Sequence, residues 1–122
     1  RVETEVARLD LAALSRLDFQ PVDAARFPAV GYAREASRLG NAAATLLNGA
    51  NEAAVAAFIA GECGFLDISW VVGELLEQFP STDFAGMRCE SLEEVAYLDS
   101  RARELAGGLL RARAGTHRRT TV

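Results

Sequence analysis

The sequence predicts an all-α protein: a four-helix bundle preceded by an extended linker arm. Apolar residues recur at helical spacing in several stretches, glycine or proline divides these stretches, and no second segment alternates as a β-strand would. A chain of 122 residues is long enough for one domain with a single core. We therefore predict a linker arm over 1–22, a helical bundle over 23–114 and a flexible basic tail over 115–122.

The arm over residues 1–22 has no helical stripe of useful length. Leu17 and Phe19 alternate with polar neighbours as in an extended segment, and Pro21 then ends any regular element. We expect the arm to lie across the bundle and to bury Leu17 and Phe19.

The first two helices of the predicted bundle meet at Gly40, the expected stop of helix one. Helix one should begin between residues 24 and 29, with Asp23 as a plausible N-cap and Pro28 in its first turn. Helix two is predicted over 46–61 after a loop of small residues. Its alanines leave little side-chain volume, so neighbouring helices can approach closely and this helix should be the central one. The alanines are Ala50, Ala53, Ala54, Ala56 and Ala57.

Helices three and four have clear limits in the sequence. Pro80 closes helix three, and residues 80–90 are polar and turn-rich, which indicates a loop. Ser91 and Glu94 form an S-x-x-E capping box, so helix four is predicted over 92–112. The inward-facing residues of helix three, at regular amphipathic spacing, are Ile68, Val71, Val72, Leu75, Leu76 and Phe79.

The composition excludes several kinds of chemistry. All 13 basic residues are arginine, so no lysine can form a Schiff base. The single histidine, His117, lies in the tail, which leaves no base for a serine or cysteine nucleophile. Cys63 and Cys89 do not form a C-x-x-C unit, and with one histidine they cannot supply the usual four-ligand zinc shell unless carboxylates join them. We interpret them as reduced thiols of a cytoplasmic protein.

Charge and hydropathy bear on macromolecular partners. Residues 111–122 carry a charge of +4 and the rest of the chain carries −8. A basic tail could touch nucleic acid, but arginines without interleaved aromatics are more typical of a solvated terminus, which is the interpretation we adopt. The continuous apolar runs are shorter than the roughly 20 residues that a membrane span needs, so no membrane association is predicted.

One constellation could form a specific site. Asn48, Asn51 and Glu52 are spaced i, i+3 and i+4 at the polar start of predicted helix two, on one helix face. They could bind a polar ligand through amide and carboxylate groups. They could instead satisfy free backbone amides near the helix start, or join a buried hydrogen-bond network with an arginine of helix one or four. We favour a structural role for these three polar residues over a ligand site. We also interpret Trp70 and Phe84 as packed or interface aromatics rather than ligand platforms.

Several short strings occur along the chain in a fixed order. They are LDF at 17–19, RFP at 26–28, AREA at 33–36, LNGANEAAVAAFIAG at 47–61, GFLDI at 64–68, SLEEV at 91–95 and LDSRARELA at 98–106. This succession resembles the C-terminal part of 1-deoxy-D-xylulose 5-phosphate reductoisomerase, a family with a very similar LNAANE helix followed by an F-x-D-I turn. Gly49 stands where that pattern has alanine, a difference expected to loosen the helix start.

The resemblance implies a division of labour within a longer enzyme. An N-terminal domain would bind NADPH, a central domain would bind a divalent metal (Mn or Mg) and the sugar phosphate, and the C-terminal helical bundle would support both. The whole enzyme would rearrange and reduce deoxyxylulose phosphate to methylerythritol phosphate in isoprenoid biosynthesis. The implied partners are the other two domains, and a homodimer formed through the parent enzyme is compatible with it.

For this chain, the resemblance assigns no catalytic, cofactor-binding or metal-binding residue. The piece alone is therefore expected to be inactive. The alternative is a freestanding helical protein-interaction module that kept the fold. The reading frame upstream of Arg1 discriminates the two, because only a reductoisomerase would encode a dinucleotide-binding and catalytic domain there.

Overall fold

The structure, a computed structural model, describes residue 6 and residues 9–119, with side chains as far as Ala114. These residues form α-helices joined by turns, with no strand among them. The predicted all-α class is confirmed. The helices are α1 (Leu11–Leu14), α2 (Ala29–Leu39), α3 (Asn41–Ile59), α4 (Phe65–Gln78) and α5 (Leu92–Arg119), with a 3₁₀ turn at Phe79–Ser81.

The arm does not pack on the bundle as predicted. Leu17 is 55% exposed and Phe19 is 87% exposed, so the expected burial of these two side chains is wrong. The arm also contains one helical turn, α1, where the Asp10 carboxylate accepts hydrogen bonds from the backbone N–H groups of Ala12 and Ala13 at 3.0 and 3.2 Å. Alternating apolar residues predict a face that packs against another part of the protein. None of the described residues covers Leu17 and Phe19. Residues 1–5, 7 and 8 of the arm lie outside the described part.

Helix α2 begins at the late end of the predicted window. Asp23 caps the turn before it rather than the helix, since its carboxylate accepts from the backbone N–H groups of Ala25 and Arg26. Pro28 takes the N-cap position. Gly40 ends α2 with φ of +109°. Residues that carry a side chain rarely adopt this backbone angle, so glycine stops the helix as predicted.

Helix α3 begins at Asn41, immediately after Gly40, and not at residue 46 as predicted. The small residues that suggested a loop are helical, because alanine is the strongest helix former and Ala42 and Ala43 are almost completely buried. The Asn48 cluster therefore lies in the middle of the helix rather than at its start. Its side chains cannot satisfy the free amides of a helix terminus.

Helices α4 and α5 both begin with a side chain that caps the first turn. The Asp67 carboxylate accepts from the Gly64 N–H at 2.8 Å. At α5 the predicted capping box is present, since Ser91 Oγ accepts from the Glu94 N–H at 3.1 Å and Glu94 accepts in return from the Ser91 N–H. Helix α5 continues past its predicted end at 112 to Arg119, and residues 120–122 lie outside the described part.

Helix α3 is the central helix, as the alanine pattern predicted, because it contacts α2, α4 and α5. By length and composition alone α3 could also cross a membrane, with 19 residues and a mean hydropathy of 1.2. We interpret it as a core helix, since its small side chains face three other helices. Fully buried core residues are Ala43, Ala50, Ala54, Val71, Leu98, Ala102 and Ala106.

Candidate functional site

Helices α3 and α5 are joined by a group of four polar side chains, here called the interhelical cluster. Asn48 Nδ2 donates to Glu52 Oε1 at 3.0 Å, and Arg103 Nη2 donates to Glu52 Oε2 at 2.5 Å. Arg103 Nε also donates to Asp99 Oδ2 at 2.7 Å. The cluster therefore consists of Asn48 and Glu52 on α3 with Asp99 and Arg103 on α5. One of the sequence interpretations invoked an arginine of helix one or four in a buried network; the arginine is Arg103 of the last helix, and the network is not buried.

The charges of the interhelical cluster stabilise one another. The hydrogen bond from Arg103, and next that from Asn48, lower the pKa of Glu52, while nearby Asp99 opposes this shift. The hydrogen bonds to Asp99 and Glu52 raise the pKa of Arg103. The side chains of Glu52 and Arg103 are 52% and 41% exposed, so the cluster is a partly solvated ion-pair network and not a buried one.

Asn51 is not part of this cluster. It lies beside Leu47 and Phe65 in an apolar groove, and its side chain makes no hydrogen bond within the described part of the chain. Successive helical residues are about 100° apart around the axis, so Asn51 and Glu52 meet different neighbours. The spacing that suggested a single three-residue site therefore brings together only Asn48 and Glu52.

Gly49 lets the two helices approach closely beside the interhelical cluster. A Cβ atom added at this position would lie 2.8 Å from Asp99 Oδ1, 3.0 Å from the Ala102 Cβ and 3.1 Å from the Asp99 carbonyl oxygen. The residue is buried. The expectation that Gly49 loosens a helix start is wrong, because this residue lies in the middle of α3. Since glycine has no side chain, α5 can pack closely against α3 at this position.

An open cleft of about 410 Å³ lies next to the interhelical cluster. Its wall on α3 carries Asn41, Thr45 and Asn48, and Cys89 and Asp99 lie opposite. Burial and then the Glu94 charge raise the pKa of the Cys89 thiol. A raised pKa favours the thiol over the reactive thiolate, so Cys89 does not have the character of a nucleophile.

An apolar groove of about 330 Å³ lies between the start of α2, the middle of α3 and the start of α4. Its walls include Phe27, Leu47, Phe65 and Leu66. Phe27, Phe65 and Leu66 are 54%, 69% and 74% exposed, which is unusual for large apolar side chains that lie next to one another. The Phe65 ring also packs edge-on against Phe58, with centroids 5.8 Å apart.

The last part of α5 with described side chains lies over the first turns of α4. Arg113 Nε is 2.7 Å from Asp67 Oδ1, and its guanidinium carbon is 4.0 Å from the centroid of the Trp70 ring. We call these three residues the Arg113 clamp. Phe84 is 9% exposed and packs against Tyr97. Trp70 and Phe84 therefore both have packing partners, as the sequence interpretation favoured.

The remaining acidic and thiol side chains bear on metal binding and on thiol chemistry. Among the residues that the structure describes, no three His, Cys, Asp or Glu side chains come together to hold a metal ion. Cys63 and Cys89 are both free thiols. Burial and then the charges of Asp67 and Glu62 raise the pKa of Cys63. The His117 side chain lies outside the described part.

Comparison with known proteins identifies the family. A family model described as the DXP reductoisomerase C-terminal domain matches residues 1–105. The chain is 44% identical over 107 residues to the 1-deoxy-D-xylulose 5-phosphate reductoisomerase of Pseudomonas syringae, covering 88% of this chain and 26% of the relative. It is also 44% identical over 107 residues to the reductoisomerase of Caulobacter vibrioides, covering 87% of this chain and 27% of the relative.

Solved structures give the same result. The reductoisomerase of Zymomonas mobilis in complex with NADPH superposes with a TM-score of 0.75 at 39% identity, covering 90% of this chain and 28% of that one. A DOX-P reductoisomerase with fosmidomycin and magnesium gives a TM-score of 0.74 at 32% identity, covering 94% and 30%. The chain thus spans about a quarter of the length of these relatives, and it belongs to the DXP reductoisomerase C-terminal domain family.

Proposed function

We propose that this chain is the structural C-terminal domain of a reductoisomerase whose intact polypeptide, in the cytoplasm, converts deoxyxylulose phosphate to methylerythritol phosphate with NADPH. The family match over residues 1–105 is the observation that carries this proposal. Solved relatives bind NADPH and magnesium. The described residues of this chain do not bring three metal-binding side chains together, so the metal ion is assigned to another domain of the polypeptide. NADPH is assigned to the N-terminal domain that the resemblance implies, and no catalytic step is assigned here.

We assign the apolar groove as the surface that docks on the preceding part of the same polypeptide. The arm leads into the bundle through Arg26, Phe27 and Pro28, and all three residues line the groove. Leu17 and Phe19 of the arm are exposed as well. A single neighbouring domain at this end of the bundle would cover both the arm and the groove, which explains why apolar residues are exposed in both.

The docking assignment is tested in the intact polypeptide with Leu66→Ser in the groove and Leu92→Ser as its matched control. Leu66 and Leu92 are 74% and 83% exposed, so neither change should alter the stability of the 122-residue chain. Leu66→Ser should reduce turnover of deoxyxylulose phosphate with NADPH by about tenfold, because interface anchors dominate association energies, whereas Leu92→Ser should not. Equal turnover of the two variants would overturn the docking assignment.

Two further results bear on the domain's role. An intact polypeptide without reductoisomerase turnover would overturn the proposed activity. Turnover by the 122-residue chain alone would overturn the assignment of catalysis to other domains. The second candidate function, a freestanding interaction module, is favoured by the same exposed groove, and it would replace the first if the upstream reading frame encoded no catalytic domain.

A further inference from the structure

The Arg113–Asp67 ion pair is the best-shielded one in the described part of the chain. The side chains of Arg113 and Asp67 are 33% and 23% exposed, and every other ion pair there is more exposed. Partial burial strengthens an ion pair relative to one in water. The stacking of the Arg113 guanidinium on Trp70 adds a second attraction to the same helix. The C-terminal part of α5 is therefore held to the start of α4 by two contacts of the Arg113 side chain.

Asp67 passes this restraint to the residues before it. While Oδ1 faces Arg113, Oδ2 accepts a hydrogen bond from the Gly64 N–H at 2.8 Å. This second bond closes the first turn of α4, which contains Phe65 and Leu66. These two residues form one wall of the apolar groove. A shift of Asp67 would therefore move or loosen that wall.

We propose that Arg113 is a positioning residue that fixes the first turn of α4 and, through it, the Phe65–Leu66 wall of the docking groove. This inference rests on the docking role proposed above. It makes the function of the groove depend on a side chain in the C-terminal part of α5, beyond the residues matched by the family model. The restraint is local, so its removal opens the first turn of α4 without unfolding the bundle.

Local opening of the first turn of α4 can be measured at Cys63, which lies directly before Gly64. The Cys63 thiol is half-buried, and its Sγ lies 3.7 Å from the Ala54 carbonyl oxygen. In the intact polypeptide, Arg113→Ala should make alkylation of Cys63 by iodoacetamide about fivefold faster, because a locally opened turn exposes the thiol. Peptide mass spectrometry reads Cys63 and Cys89 separately. Cys89, in the loop before α5, should label at an unchanged rate.

Matched variants separate the clamp from a general effect of charge. Arg111→Ala removes an exposed arginine from the same helix. In this variant Cys63 should be alkylated at the wild-type rate. Arg113→Lys keeps the positive charge opposite Asp67 and should restore most of the protection. Equal Cys63 labelling in the Arg113→Ala and Arg111→Ala variants, or a parallel rise at Cys89, would overturn the positioning role.

Turnover of the intact polypeptide links the clamp to the groove. If Arg113 acts through the Phe65–Leu66 wall, Arg113→Ala should reduce turnover, and Leu66→Ser combined with it should reduce turnover by less than the product of the two single effects. Independent, multiplicative effects would overturn the inference while leaving the docking role intact. Wild-type turnover in the Leu66→Ser variant would overturn the docking role itself.

Discussion

At the residue scale, Glu52 and Arg103 show how exposed charges gain a defined geometry. Each side chain is about half exposed, and an isolated pair of this kind contributes little stability. Asn48 and Asp99 supply additional hydrogen bonds, so the pair belongs to a network that crosses from α3 to α5. The network should therefore respond measurably to protonation of Glu52.

Replacing Glu52 with glutamine is expected to lower the melting temperature at neutral pH and to have no effect in acid. The hydrogen bond from Arg103 lowers the pKa of Glu52 below its usual 4.5 in the folded chain. The resulting stabilisation is complete above the pKa of the unfolded chain and is lost as the pH falls through the lower folded value. Thermal melts from about pH 3 to pH 8 measure this, with Glu77→Gln as the control. A pH-independent difference would contradict it.

Gly49→Ala is expected to destabilise the chain by about 1 kcal/mol, because the gain in helix propensity is smaller than the cost of overpacking. The added Cβ would meet the Asp99 carbonyl oxygen and the Ala102 Cβ, neither of which can move without moving α5. Gly108→Ala is the control, since nothing lies within 4 Å of its added Cβ. Urea unfolding measures both changes. A more stable Gly49→Ala variant would show that α5 can shift freely.

At the element scale, the sequence predicted the capped start of α5 and the glycine stop of α2, but it misplaced the start of α3. The start of α5 follows from Ser91 and Glu94, whose hydrogen bonds are purely local. The start of α3 was misplaced by five residues, because the string of alanines after Gly40 carries no capping signal and its burial depends on other helices. Local chemistry can be read from sequence more reliably than burial.

Ser91→Ala is expected to destabilise the chain by about 1 kcal/mol, since it removes the acceptor for an otherwise free N–H group at the start of α5. Ser100→Ala, on the exposed face of the same helix, is the matched control and should be neutral or slightly stabilising, because alanine is the better helix former. Chemical unfolding of both variants tests the difference. Equal effects would show that the cap contributes nothing specific.

At the scale of the whole molecule, α3 determines how closely the other helices can pack. Its buried positions are four alanines, one glycine and a single large residue, Leu46, and α2, α4 and α5 all contact it. Large apolar side chains are instead exposed at the groove and along the arm. This distribution is what a domain that docks on another domain should show.

Ala54→Leu should destabilise the bundle by about 2 kcal/mol, because Ala54 is fully buried and the added methyl groups have no space. Ala56→Leu places the same side chain at an exposed position of α3 and should leave stability nearly unchanged. Differential scanning calorimetry of the two variants measures the contrast. Similar melting temperatures would mean that α3 is not tightly enclosed.

The sequence by itself determined the helical class, the central position of the alanine-rich helix, the start of α5 and the family. These features depend on periodicity, on local hydrogen bonds or on contiguous strings of residues, all of which are present in the order of the amino acids. Only the tertiary structure decided which polar residues meet. It separated Asn51 from Glu52, paired Glu52 with Arg103 and brought Arg113 onto Trp70. Helical periodicity fixes the angle between Asn51 and Glu52, but which neighbour each side chain meets depends on how distant helices pack, and local sequence does not encode that packing.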